Sequence, residues 1–101
     1  MADALDYDTF AKELHTRFRI QINPEQTVEA ELVHISEHLM SNLQDRFAIV
    51  FRTANDVFLG QGQRDLHHER MGDFSLFLVP IGRDEQGTSY EAVFNRLVKK
   101  N

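Results

Sequence analysis

The sequence predicts a mainly β domain, with about six antiparallel strands in a small barrel or two-layer sandwich and one N-terminal helix. Three observations predict it. Residues 74–81 and 88–98 are two runs rich in β-branched and aromatic side chains, separated by the polar, glycine-bounded Gly82-Arg-Asp-Glu-Gln-Gly87, which is the pattern of a β-hairpin. From Arg17 onward apolar and polar residues alternate with a period of two. The one stripe with helical spacing, Tyr7, Phe10, Ala11 and Leu14, is confined to the start of the chain.

That stripe places a short amphipathic helix over residues 8–15, with Asp8 or Thr9 as its cap. A helix of this length depends on tertiary packing. The first strand covers residues 17–22, where Phe18, Ile20 and Ile22 alternate with Arg17, Arg19 and Gln21, and Asn23-Pro24 ends it. The second strand, residues 27–37, changes phase. Val28, Ala30 and Leu32 share one face, Val33 and Ile35 the other, so a bulge or a bend between layers is expected near Leu32 and Val33.

Residues 38–45 form a polar connection with a few apolar anchors. The strand over 46–53 points Phe47, Ile49 and Phe51 inward, and Asn55-Asp56 turns the chain. After Gly60-Gln-Gly62 comes a polar strand at 63–70, suited to a sheet edge. In the closing hairpin, strands 74–81 and 88–98, Phe74, Leu76 and Leu78 occupy one face while Phe77, Val79 and Ile81 occupy the other. Both faces call for cover, from the helix, the opposite sheet layer or a second subunit. In the last strand Asn95 shares the side of Val93 and Leu97 and is expected to be partly buried as a hydrogen-bonded structural pin, while Arg96 shares the side of Tyr90, Ala92 and Phe94.

With 101 residues, 42% of them apolar and 27% charged, the chain is expected to fold as a single globular domain over residues 1–101. The net charge of −5 disfavours nucleic acid, whose phosphates require a basic face. Cysteine is absent from the sequence, which removes disulfides, thiolate metal sites and cysteine nucleophiles. The N-terminus lacks the basic and apolar regions of a secretory signal, and the longest apolar runs fall short of a membrane span, so a cytoplasmic location away from membranes is expected. Arginines at 17, 19, 46, 52 and 96 lie in or beside the strands, placed for pairing with Glu29, Glu31 and Glu91.

The order Arg46-Phe-Ala-Ile-Val-Phe-Arg52, Leu59-Gly-Gln-Gly62, Met71-Gly-Asp-Phe-Ser-Leu-Phe-Leu-Val-Pro80 and Tyr90-Glu-Ala-Val-Phe-Asn-Arg96 resembles a bacterial family of domains of unknown function about as long as this chain. The resemblance runs from Phe18 to the end, and the Phe-Leu-Val-Pro and Tyr-Glu-Ala-Val-Phe-Asn-Arg segments are its distinctive part. It implies a small β-domain without an assigned activity, some members of which look like companions of phage-tail collar-type proteins. It transfers no catalytic residues.

Of the five histidines, His34 and His38 share one face of an extended strand, and His67 and His68 approach from elsewhere. Imidazoles can hold Zn²⁺, Ni²⁺ or Cu²⁺, but the spacing matches no metal motif, and surface or cross-strand histidines are the commoner outcome. His67, His68 and Glu69 suggest a general base with its carboxylate, yet neighbouring strand residues point to opposite faces and cannot serve one site. Gly60-Gln-Gly62 lacks the Lys-Ser/Thr of a phosphate loop.

The expected function is therefore non-enzymatic and cofactor-free: a structural or protein-interaction domain that assembles with itself or serves a larger tail-like or surface protein. Phe77, Val79, Ile81 and Arg96 are its candidate contact residues, Arg96 as an anchor for an acidic residue of another subunit. A barrel that holds a small apolar ligand among its phenylalanines is the alternative, and metal binding through His34 and His38 the third reading.

Overall fold

The structure is a computed structural model that describes residues 5–41, 44–54 and 56–97. Val98, Asn55 and Leu43, on which parts of the expected last strand, turn and connection fall, lie outside the described residues.

Helix α1 spans Tyr7–Lys12, shorter than the expected 8–15. Its cap is Asp6, not Asp8 or Thr9: the Asp6 carboxylate accepts from the Thr9 N–H at 2.9 Å, and hydrogen bonds from the Thr9 side chain and N–H hold the carboxyl below its ordinary range. The helix stops because the chain must reverse. Glu13 ends it, and His15 takes the left-handed conformation, φ 71°, so that its N–H reaches the Leu32 carbonyl at 2.7 Å.

Strands β1 (Arg17–Asn23) and β2 (Gln26–Ile35) form a hairpin. Its turn is closed by Asn23, whose side-chain oxygen accepts from the Glu25 N–H. The expected phase change in β2 is a bulge at Val33: Leu32 lies opposite Phe51 and His34 opposite Val50. There β2 leaves β1 and pairs with β4 (Gln44–Thr53), turning a corner of the barrel. Between them, β3 (Leu39–Met40) adds two exposed residues to the start of β4, inside what the sequence suggests is only a connection.

Strand β5 (Gly62–His68) is an edge only over its first half. It pairs with β6 (Gly72–Asp84) along its whole length and with β1 at Arg19–Ile20, where His67 and Leu66 lie opposite. β6 and β7 (Gly87–Leu97) form the expected hairpin, but the strands run further, leaving Glu85-Gln86 as the turn. A register shift between Pro80 and Gly82 sets Ile81 aside as a bulge, next to the one residue in the strand that has no N–H to donate.

The ring runs β1-β2-β4-β7-β6-β5 and back to β1, a closed six-stranded antiparallel barrel. Inward residues fill it: Phe18, Ile20, Ala30, Leu32, Phe47, Ile49, Phe51, Leu66, Leu76, Leu78, Tyr90 and Ala92 are all buried. Those of β1, β2 and β4 come from the apolar phase that the sequence predicts for their strands; Leu66 comes from a strand expected to be polar, and Tyr90 and Ala92 from the side of β7 opposite to that expected to bury Asn95. Helix α1 plugs one end, where fully buried Phe10 meets the rings of Phe47, Phe74 and Phe94. At the other end, Val57 and Leu59 fold in, with the Val57 carbonyl accepting from Thr88 Oγ1 and the Leu59 N–H donating to Tyr90 Oη. The helix therefore covers an end, not a face. Among the described residues no helix is long and apolar enough to cross a membrane.

Candidate interaction surface

Alternation along β6 puts Leu76 and Leu78 inside and Phe77, Val79 and Ile81 outside, as the sequence predicts. Nothing in the described chain covers the outer set fully: Phe77 is 49% and Ile81 52% exposed, and Val79 is half-buried. On β7 the outer phase carries Glu91, Val93 and Asn95. The register that sets Val79 opposite Glu91 runs Phe77 toward Val93, which is 62% exposed. On β4, Val50 faces Glu91 and Ala48 faces Val93, both half-buried. The outside of β6, β7 and β4 thus carries an apolar stripe interrupted by Glu91 between Val79 and Val50, with Arg46 and Arg52 in the same outer phase of β4. Outward apolar residues so arranged form a candidate contact surface.

Asn95 is exposed, contrary to the expectation of a buried pin, and accepts from Gln44 Nε2 at 3.4 Å. Both phases of the last strand contain apolar residues; Tyr90, Ala92 and Phe94 take the inside, which leaves Asn95 out. Arg96 follows the inner phase to the barrel end. Its guanidinium lies over Phe94 and Phe47, 5.5 and 5.9 Å from their centroids, and 3.5 Å from Asp45 Oδ2. The acidic partner that the sequence suggests in another subunit is supplied within the chain.

Asp45 also binds His38, whose Nε2 lies 2.6 Å from Oδ1, and the His38 ring stacks on Tyr7 at 4.4 Å. His34 is exposed on β2, beyond whose end His38 lies in the irregular segment leading to β3. Among the described residues no three His, Asp or Glu side chains converge as a metal site, so the structure does not build one around His34 and His38. His67 stays outside, hydrogen-bonded to Asp73.

Sequence reasoning missed a buried polar cluster around His68, although its inward phase with Leu66 was visible. His68 Nδ1 accepts from the Arg70 and Met71 N–H groups at 3.0 and 3.2 Å. Thr16 Oγ1 donates to the Glu13 carbonyl at 2.7 Å, so it accepts from His68 Nε2–H at 2.9 Å. These bonds define a neutral ring with its proton on Nε2. Arg70 Nε and Nη2 clasp the Glu13 carboxylate at 2.6–3.1 Å, holding that carboxyl below its ordinary range, while burial pushes the His68 imidazole down.

The barrel interior is occupied by its own side chains, which removes the room an apolar ligand needs. The most voluminous of the described depressions, about 610 Å³, is outside it, lined by Arg19, Gln21, Asp65, His67, Asp73 and Ser75 where β1 and β5 part. Asp73 there is bonded to His67 and Asp65 to Ser75.

No curated protein and no solved structure matches the chain. Residues 5–94, nearly its whole length, match a family profile, and the chain belongs to the family described as a domain of unknown function, DUF6916.

Proposed function

We propose that this chain is a non-enzymatic protein-interaction domain that assembles with copies of itself through the outer face of β6 and β7. The observation that carries this reading is the exposure of Phe77, Ile81 and Val93 on neighbouring strands of a closed barrel. β6 and β7 are each paired with neighbours on both sides, so association through this face uses side chains, and it carries Phe77, Ile81 and Val93, while the exposed Leu39, Met40 and Phe58 lie elsewhere. Val79 belongs to the same contact. Arg96 supports the barrel end beside it by stacking on Phe94.

A larger tail-like or surface protein is the second occupant of the same face, a reading that rests on the family resemblance. Size-exclusion chromatography with light scattering over a concentration series tests the first. Self-assembly predicts a mass above 11.8 kDa that rises with concentration, and a return to the monomer mass in Phe77→Thr/Ile81→Thr. A monomer at every concentration rejects self-assembly and leaves docking on a larger protein.

A further inference from the structure

We propose that the cluster of Glu13, Thr16, His68 and Arg70 is an acid-released latch that holds helix α1 over the mouth of the barrel. The His68 side chain is 1% exposed and both ring nitrogens are engaged. A second proton must go to Nδ1, which faces two N–H donors of the turn between β5 and β6. Donor would then confront donor, and the turn must open. Opening moves Arg70, whose guanidinium springs from that turn and grips Glu13. Glu13 is the residue that ends α1, and its carbonyl is tied to Thr16, the hydroxyl that His68 itself binds.

A helix of six residues does not persist without packing. Once loosened, α1 withdraws Phe10 from Phe47, Phe74 and Phe94 and uncovers an aromatic mouth. The charges facing His68 oppose one another. Glu13, 3.5 Å away on the helix side, and Glu69 in the turn favour an imidazolium; Arg70 and His67 disfavour it. Burial outweighs them and keeps the ring neutral below its ordinary value of 6.5, so the latch is shut at neutral pH and opens in acid.

NMR titration of the full chain from pH 8 to 4.5 tests this, following the His68 ring, the Phe10 and Lys12 amides, and the Ile49 and Ala92 amides as reporters of the barrel. Tyr7 is not used, because the His38 ring stacks on it. The latch predicts one midpoint below 6.5 shared by His68, Phe10 and Lys12, with Ile49 and Ala92 unmoved. In His68→Gln, whose amide can accept and donate in the same places without titrating, the Phe10 and Lys12 transition disappears. Should that variant fail to fold, Glu69→Gln removes an anion that favours the imidazolium and takes no part in the latch, and the midpoints of His68, Phe10 and Lys12 move together to lower pH. An α1 that stays fixed while His68 titrates, an unchanged Phe10 transition in either variant, or concerted loss of the Ile49 and Ala92 signals overturns the proposal.

Discussion

The backbone N–H of Leu59 donates to the phenolic oxygen of Tyr90 at 2.8 Å, joining residues 31 apart in sequence inside the barrel. Tyr90 is 1% exposed, so water cannot replace the bond. Tyr90→Phe keeps the ring and orphans the N–H, and is expected to lower the unfolding free energy by about 1–2 kcal/mol in urea titration. A variant as stable as the parent would show that Leu59 finds another acceptor.

Gly87 opens β7 at φ 144°, and a Cβ there would lie 1.9 Å from the Thr53 carbonyl oxygen. Backbone cannot yield as a flexible side chain can. Gly87→Ala is expected to cost about 3 kcal/mol, whereas alanine at Gly60, where a Cβ meets nothing within 4 Å, is expected to stay within about 0.5 kcal/mol. Chemical denaturation of the two variants side by side measures the contrast.

Phe10 is the side chain through which α1 holds the barrel end. Phe10→Ala is expected to destabilise by about 3–5 kcal/mol and to release the helix. The β4–β7 ladder, which runs from Gln44 opposite Leu97 to Thr53 opposite Thr88, is expected to remain protected in amide exchange. Equal loss of protection in both would show that helix and barrel fold as one cooperative unit.

Global stability should fall with acid in two stages. His68 and Glu13 both have folded values below their ordinary 6.5 and 4.5, so in each range the unfolded chain binds a proton that the folded chain refuses. Stability from His68 is complete above pH 6.5 and is lost as pH falls through its folded value; that from Glu13 follows below 4.5. Urea midpoints at pH 8, 6, 5 and 4 are expected to decline in that order, and the first decline should vanish in His68→Gln.

Much of the barrel was legible because burial alternates with the strand period. Phe47, Ile49 and Phe51 needed no tertiary knowledge, and the phase slip between Leu32 and Val33 announced the bulge before any partner for β2 was known. What failed were features set by closure. The polarity of Gln63, Arg64 and Asp65 suggested an edge along the whole strand, yet closure pairs Leu66 and His67 with β1 and leaves only the first half of β5 open on that side. Asn95 was misplaced because two apolar phases compete in β7 and the hairpin register decides between them. The apolar outer stripe was visible as Phe77, Val79 and Ile81. The grip of Arg70 on Glu13 was not, since it spans 57 residues and no local pattern marks it.

Cutting a hoop takes one break, and the hoop parts where it is least sewn. β1 and β5 are joined only across Arg19–Ile20 and Leu66–His67, while the strands beyond diverge around an open hollow. Breathing of this protein therefore starts at that join, and a visiting strand, whether its own from a second chain or a stranger's, would find its rungs there first.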